Sequence, residues 1–388
     1  MERVYLDYQA TTPMRPEVLE VYRDALQVVG NPSSIHYEGQ RARAQFEEAK
    51  IRLAELLDCD PMELILTSGG TESINTWIRG RVQAAEQELP AIVSTPAEHH
   101  ATIDVLGWLE REGRVRPLWV EVDHDGVIRL DQLADVLHSD HRTIVGITSL
   151  WGNNEVGSVQ PIREIVALAG QWSVPVHIDA VSALGHLPVR FRETGAEALS
   201  VSAHKVGGPV GVGALIVSRH ARAFPSLLHG GSQQTYRSGT LDQAGVVAFA
   251  RALELAEQER EAEYARLRLL CERLWEGLRE RTPGLIRTGH PTNRLAHNLH
   301  IVIPGVVGEV VLYLLDERGF AVSTGSACQA GVSEPSHVVQ AMGYSEDDAR
   351  GALRFTLGRE TTEGQIDRLL AVWPEVYQRA ADAGPRSR

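Results

Sequence analysis

The sequence predicts an α/β fold, in which a large domain with a mostly parallel sheet and helices on both faces is joined to a smaller α+β domain. Short apolar runs alternate with helical patterns over the first 245 residues, which is typical of a parallel sheet. A long, charged helical stretch over residues 246–281 ends this alternation. The 388 residues are 43% hydrophobic and 23% charged, a composition that can bury a normal core.

The predicted elements follow in chain order. Strands are expected at residues 63–67, 91–94, 143–147, 174–178, 198–202 and 212–217, with helices such as 161–172 between them. The helix at 246–281 should bridge the two domains. Beyond it we expect a strand at 300–303, helices at 309–318 and 336–342, and a strand at 353–357. These patterns divide the chain into a large domain, 14–255, and a small domain made of 1–13 and 256–388, with residues 380–388 disordered.

Charge and cysteine content restrict the class of protein. The net charge of −13 disfavours binding to nucleic acid or to an anionic membrane. Cys59, Cys271 and Cys328 are far apart and odd in number, which disfavours a disulfide framework, and no ligand spacing indicates a structural zinc. The sequence shows neither an apolar signal segment nor a run long enough to span a bilayer, so a reducing cytoplasm is expected.

Cys328 lies in a run of small residues, 323–331, that leads into a predicted helix start at Pro335. Glycine, serine and alanine around a cysteine indicate an accessible loop, where a reactive thiol is expected. Cys59 follows an apolar helical stretch and Cys271 lies within residues 269–272, so both are expected to be small packed or bystander residues and not nucleophiles.

Lys205 follows an apolar strand and precedes a glycine run, and Asp179 ends another strand 26 residues upstream. This is the arrangement that holds pyridoxal phosphate through a Schiff base, with the aspartate paired to the pyridine nitrogen. The simpler alternatives are a helix-capping aspartate and a surface lysine. A cofactor lysine and a reactive cysteine in one chain point to sulfur chemistry.

Other polar residues fit the same cofactor. The turn at residues 67–73 lies between a strand and a helix, where backbone N–H groups and the hydroxyl of Thr71 can bind phosphate, although ordinary turns of this kind are common. His99 could stack on a ring and move protons, and Asn154 could donate to a ring oxygen. Arg354 suits a substrate carboxylate, with a structural salt bridge as the alternative.

In this order, these segments resemble the NifS-type cysteine desulfurases, a branch of the fold-type I, class V pyridoxal phosphate enzymes whose large domain carries a seven-stranded sheet. The resemblance extends from Tyr5 to Arg359. The segments that carry it are 5–13, 30–34, 67–73, 97–100, 153–157, 177–180, 202–205, 237–240, 323–328 and 354–359.

The resemblance implies a role for each site residue. Lys205 would carry the cofactor and, with His99, move protons, while Asp179 would pair with the pyridine nitrogen. Arg354 would take the carboxylate of L-cysteine, and Cys328 would attack its sulfur to give a persulfide and alanine. The remaining implied contacts are Gly70, Thr71, Ser202 and His204 at the phosphate, Asn154 at the ring oxygen or substrate, and Thr240 at the phosphate of a neighbouring subunit.

The resemblance also implies a homodimer that passes sulfur to an iron–sulfur scaffold or a thiolation enzyme such as one that modifies tRNA. The sequence leaves open whether Cys328 also ligates a nascent cluster.

Ser182 stands where the family usually has a glutamine that reaches the ring oxygen, so that contact is expected to be lost or bridged by water. Alternative functions are selenocysteine lyase or another class V enzyme, and a non-catalytic scaffold.

Overall fold

The computed structural model describes residues 3–231, 234–324 and 334–384. Its strands are β1 (Val4–Tyr5), β2 (Leu64–Thr67), β3 (Ala91–Ser94), β4 (Arg116–Trp119), β5 (Ile144–Leu150), β6 (Val176–Asp179), β7 (Ala198–Ser202), β8 (Gly213–Val217), β9 (Ile286–Arg287), β10 (Asn298–Val302), β11 (Phe320–Ala321) and β12 (Ala352–Thr356). Its helices are α1 (Pro16–Leu26), α2 (Tyr37–Leu57), α3 (Gly70–Gln83), α4 (His100–Arg111), α5 (Leu130–Asp140), α6 (Ile162–Gly170), α7 (Phe191–Thr194), α8 (Gln243–Arg281), α9 (Gly308–Glu317), α10 (His337–Ala341), α11 (Glu346–Arg350) and α12 (Glu363–Ala383).

Seven strands form the large sheet, in the order β2-β8-β7-β6-β5-β3-β4. All neighbouring pairs are parallel except those that involve β8, which runs against both β2 and β7. The predicted mostly parallel α/β sheet is therefore confirmed. Because β3, β5, β6 and β7 are parallel, their carboxyl ends meet at one edge, where ligands bind in open α/β sheets.

Residues of the large-sheet strands enter different cores on the two faces. Ile178 and Val201 pack in one core with helices α2 and α8, whereas Val145 and Leu215 pack in the other with α3 and α4. A parallel strand buried on both faces should read as a continuous apolar run. That is the pattern from which most of these strands are predicted.

Two smaller sheets lie beyond the large one: antiparallel β12-β10-β9 and parallel β1-β11. Bridges from Asp7 to Thr356 and from Ser323 to Arg354 connect them, so the first residues of the chain join the C-terminal part. Leu299 of β10 lies in their shared core, together with buried residues of β12, α9 and α12.

Helix α8 has 39 residues, about 58 Å at 1.5 Å per residue, and contributes to both of these regions. Its first half, up to Ala256, packs in the core with α2, and its second half, from Leu267, packs in the core of the small sheets. This change of core supports the predicted division into 14–255 and 1–13 with 256–388, which we retain as a proposal.

Two departures from the predicted elements have a clear physical cause. The sequence does not predict β4, because Arg116 and Pro117 interrupt its apolar pattern; the strand lies at the sheet edge, where proline is tolerated. The prediction of disorder from residue 380 is wrong for residues 380–383, which end helix α12, because Ala380 is buried in the small-sheet core. Within the described ranges, no helix is both long and apolar enough to cross a bilayer.

Candidate active site

A cavity of about 510 Å³ lies at the carboxyl edge of the parallel strands. Predicted site residues from six separate segments line it. They are Gly70, Thr71, His99, Asn154, Asp179, Ser182, Ser202, His204, Lys205 and Arg354, and they are joined there by Asp7, Gln9, Ser323 and Thr324. The structure thus brings together ten of the predicted residues, while the role of each remains a prediction.

The N-terminus of α3 forms one end of this cavity. Gly69 caps the helix without a side-chain hydrogen bond and has a φ of +145°, a conformation that L side chains rarely adopt. A Cβ on Gly70 would lie 2.6 Å from a methyl carbon of Val181, so only glycine fits the close approach of helix and strand end. The N–H groups of the first turn, with Thr71 beside them, make an anion site.

Asp179 is the last residue of β6 and is buried. Its Oδ1 accepts a hydrogen bond from the backbone N–H of Val181 at 2.9 Å. Burial raises the pKa of this carboxyl to about 6, while the charge of Lys205 opposes the rise. Above that pH, Asp179 is a buried anion that faces the cavity, which suits a partner carrying positive charge.

Lys205 lies in the 3-10 turn, Ala203–Val206, that follows β7. Its Nζ donates to the backbone carbonyls of Gln9 at 2.5 Å and Ala10 at 3.3 Å. Burial, assisted by the charge of Arg354, lowers the pKa of this amine to about 8. A lysine with so low a pKa has an appreciable uncharged, nucleophilic fraction near neutral pH.

His99 is the N-cap of α4, and its Nδ1 accepts from the backbone N–H of Ala101 at 3.0 Å. The ring proton therefore lies on Nε2. Burial, and next the charge of Lys205, lowers the His99 pKa to about 4, so the ring is neutral at pH 7. The buried carboxyl of the preceding residue, Glu98, accepts from the backbone N–H of Leu150, and burial raises its pKa well above the ordinary value.

Arg354 projects from β12 and is fixed by two contacts. Its guanidinium donates to Asp7 at 2.9 Å and to the backbone carbonyl of Asn154 at 2.8 Å. Within the described residues, Nε of Arg354 and Oδ1 of Asn154 are buried without a hydrogen-bond partner. Buried polar atoms are nearly always paired, so this donor and acceptor beside the cavity fit a polar ligand.

Ser182 takes part in a buried polar chain on the same side of the cavity. Gln9 donates from Nε2 to the Ser182 hydroxyl oxygen at 2.8 Å, and its Oε1 lies 3.1 Å from Nε2 of His297. The ring of His186 stacks on that of His297 with centroids 3.6 Å apart. Gln9 therefore links the N-terminal segment to Ser182 on one side and to His297 on the other.

Cys328 lies outside the described residues, but the segments on either side of it are described. Ser323 and Thr324 line the cavity. On the other side, Ser336 donates to the buried carboxylate of Glu155 at 2.5 Å, and Nε2 of His337 lies 2.9 Å from the backbone carbonyl of Glu98. Both ends of the cysteine segment are thus attached near the cavity.

The other cysteines are unsuited to nucleophilic attack. Cys59 and Cys271 are buried, and burial raises the pKa of each thiol to about 12.

Thr240 is exposed and does not line the cavity of its own chain, so its predicted role in a neighbouring subunit stays a prediction. In the described part of the chain, no group of three His, Cys, Asp or Glu side chains is placed to hold a metal ion.

Sequence reasoning missed Asp7, Gln9 and His297 as neighbours of the site. Asp7 and Gln9 belong to the N-terminal segment that carries part of the resemblance, but no spacing relates them to Arg354 or Ser182, which lie 347 and 173 residues away. His297 has no local signal, because it simply follows an apolar pair of residues.

The class-V aminotransferase family model matches residues 4–369. An IscS-like cysteine desulfurase of Mycobacterium tuberculosis is 41% identical over 98% of this chain and 97% of its own length. A solved NifS-like protein is 30% identical with a TM-score of 0.89 and covers 97% of this chain and 100% of its own. The structure of SspA in complex with cysteine is 29% identical with a TM-score of 0.78, over 91% of this chain and 98% of its own.

Proposed function

The chain belongs to the class-V aminotransferase family, and we propose that it is a pyridoxal phosphate-dependent cysteine desulfurase. The reaction takes L-cysteine to L-alanine and leaves the sulfur as a persulfide on Cys328. The observation that carries this proposal is the meeting of Lys205, Asp179, the N-terminus of α3 and Arg354 around one cavity. The reaction is inferred from the relatives that are cysteine desulfurases, and the residues around the cavity are suited to it.

The cavity fits the cofactor on three observations. A helix N-terminus without a side-chain cap offers N–H groups to a phosphate, a buried carboxylate can pair with a pyridinium, and a lysine amine of lowered pKa can bind the aldehyde. We propose Gly70, Thr71, Ser202 and His204 as the phosphate contacts. When bound, pyridoxal phosphate supplies an electron sink for cleavage of the carbon–sulfur bond.

Lysine content supports the assignment of Lys205. The chain has 38 lysines and arginines, and only Lys50 and Lys205 are lysines. Arginine can replace lysine at most charged surface positions, but a guanidinium cannot serve as the aldehyde-binding amine. A lysine at position 205, beside the cavity, therefore fits a requirement for amine chemistry.

The remaining residues of the cavity have two tasks, to bind the substrate carboxylate and to transfer protons. Arg354 binds the carboxylate of L-cysteine, with Asp7 holding the guanidinium in place. Neutral His99 can carry a proton on Nε2 because its Nδ1 is occupied by the cap of α4. The amine of Lys205 is the second group beside the cavity that can accept and return a proton.

Cys328 takes the sulfur as a thiolate. A sulfur–sulfur bond forms to the substrate thiol, the carbon–sulfur bond of the substrate breaks, and its electron pair remains with the carbon that becomes the methyl group of alanine after protonation. The sum is L-cysteine and a Cys328 thiol giving L-alanine and a Cys328 persulfide. The persulfide is then available to an acceptor thiol.

We propose further that the enzyme is a homodimer, with Thr240 contributing to the phosphate site of the partner, and that an iron–sulfur scaffold or thiolation enzyme receives the sulfur. These steps rest on the resemblance. A cytoplasmic location is proposed on the same basis.

The function is tested by incubating the pyridoxal phosphate-loaded protein with L-cysteine and a thiol reductant. We expect L-alanine and sulfide in equal amounts. Borohydride reduction of the loaded protein should attach the cofactor to the peptide that contains Lys205 and not to the one that contains Lys50. Alanine from selenocysteine alone would support a selenocysteine lyase, and a protein that neither binds the cofactor nor forms alanine would support a scaffold.

A further inference from the structure

We infer that Gln9 is a positioning residue of the cofactor site, which directs the hydroxyl hydrogen of Ser182 towards the ring oxygen of pyridoxal phosphate. The inference rests on the proposed function and names residues that fix the cofactor in this chain. His297, Gln9 and Ser182 form a buried series of hydrogen bonds that ends at the cavity.

In the structure, the side-chain amide of Gln9 has its Oε1 towards His297 and its NH₂ towards Ser182. Oε1 of Gln9 can only accept, so Nε2 of His297, 3.1 Å away, carries the proton. Burial lowers the pKa of His297 well below its ordinary value, so the ring is neutral and has this single N–H. The stacked ring of His186 holds the plane of His297. A proton on Nε2 of His297 stabilises the observed orientation of the Gln9 amide, in which the NH₂ group donates to Ser182.

The hydroxyl of Ser182 is the end of the chain of hydrogen bonds. Because its oxygen accepts from Gln9 at 2.8 Å, its own hydrogen remains to be donated. Among the described residues, no further hydrogen bond of this hydroxyl is found, although Ser182 is only 4% exposed. A buried hydroxyl hydrogen without an acceptor is costly, and Ser182 lines the cavity, so an acceptor on a ligand in the cavity would satisfy it.

The chemistry of the cofactor selects which ligand oxygen this is. The backbone carbonyl of Gln9 lies 2.5 Å from Nζ of Lys205, so the pair of Gln9 and Ser182 is beside the amine that binds the aldehyde. In pyridoxal phosphate the ring hydroxyl is on the carbon next to the one that carries the aldehyde. The ring oxygen is therefore the acceptor expected beside Lys205.

The inference is tested by removing the glutamine at position 9, introducing one at position 182, and combining the two changes. Q9A removes the amide but keeps the backbone bonds of residue 9 to Lys205 and Thr356. S182Q alone forces a second amide into the 2.8 Å contact with Gln9. The double variant Q9A/S182Q vacates that space and supplies an amide from the other side. Pyridoxal phosphate affinity of each apoprotein is measured by fluorescence quenching, and the absorbance maximum of the lysine-bound cofactor by spectroscopy.

We expect Q9A and S182Q each to weaken cofactor binding roughly fivefold to tenfold, the effect of about one hydrogen bond, and to shift the absorbance maximum. The double variant should return to within about twofold of wild type in affinity. Gln160→Ala is the matched control, since Gln160 is a buried glutamine with two hydrogen bonds outside the cavity and should change neither readout.

Unchanged affinity and absorbance in Q9A, or losses that simply add in the double variant, would overturn the inference. If Q9A does not fold, S182A gives the same test, because it removes only the hydroxyl and should weaken binding as Q9A would; unchanged binding in S182A overturns it equally. A wild-type protein that binds no pyridoxal phosphate would instead refute the proposed function, and this inference with it.

Discussion

The cavity has two walls that come from different parts of the chain and are held in different ways. The sheet wall consists of His99, Asp179 and Lys205, each of which ends or closely follows a strand of the large sheet. The terminal wall consists of Asp7, Gln9 and Arg354, whose side-chain hydrogen bonds span as many as 347 residues. The sheet wall is thus built on the one large sheet. The terminal wall is built on the small sheets, where Arg354 pairs with Ser323 and Asp7 with Thr356, and long-range side-chain contacts complete it.

This difference suggests a division of roles. The sheet wall offers a buried carboxylate and an amine of lowered pKa, which suit the cofactor. The terminal wall offers a guanidinium and lies beside Ser323 and Thr324, next to the cysteine segment, which suits the substrate. Changes in the sheet wall should therefore abolish cofactor chemistry, and changes in the terminal wall should affect mainly substrate affinity or cofactor placement.

The largest effect is expected from Lys205→Ala. It removes the amine that binds the aldehyde, so the absorbance of the lysine-bound cofactor and turnover should both be lost. Lys50→Ala, which changes the other lysine, should retain both. Normal turnover in Lys205→Ala would show that the sheet wall does not have the assigned role.

Arg354→Ala should affect the substrate and spare the cofactor. Loss of a buried charged contact costs about 2–5 kcal/mol, so the KM for L-cysteine should rise by at least about thirtyfold while pyridoxal phosphate still binds. Arg350→Ala, which changes an arginine on α11 paired with Glu346, is the control. An unaltered KM in Arg354→Ala would remove the carboxylate site from the terminal wall.

The lowered pKa of Lys205 predicts a pH dependence of cofactor capture by the apoprotein. Only the uncharged amine attacks the aldehyde, and burial lowers its pKa to about 8, against the opposing charges of Asp179 and Asp7. The capture rate should therefore rise about tenfold from pH 7 and level off above about pH 8 to 9. Stopped-flow absorbance measures it, and a rate that still climbs steeply towards about pH 10 would contradict the lowered pKa.

A smaller effect is expected from Asp7→Asn. The guanidinium of Arg354 stays in place but loses its 2.9 Å ion pair, so the KM for L-cysteine should rise by several-fold, less than in Arg354→Ala. Steady-state kinetics at fixed cofactor saturation check the order of the two variants. An effect of Asp7→Asn larger than that of Arg354→Ala would mean that Asp7 acts independently of the arginine.

The two walls also differ in how far the sequence predicts them. Asp179 and Lys205 follow buried strands that read as apolar runs, so their shared edge of the sheet follows from the parallel order. The contact of Gln9 with Ser182 depends on which distant segments meet, and local pattern carries no information about that. Strand β4 is also missed for a non-local reason. Its pairing with β3 forms the strand although the local residues Arg116 and Pro117 disfavour one.

The most direct test of the account is to locate the transferred sulfur. The loaded protein is exposed briefly to L-cysteine, its thiols are alkylated, and its peptides are analysed by mass spectrometry, with Cys328→Ser and Cys59→Ser variants in parallel. We predict one added sulfur atom on the Cys328 peptide in wild type and Cys59→Ser, and loss of sulfide release in Cys328→Ser with cofactor still bound. Sulfur found on Cys59 or Cys271, with Cys328→Ser fully active, would contradict the account.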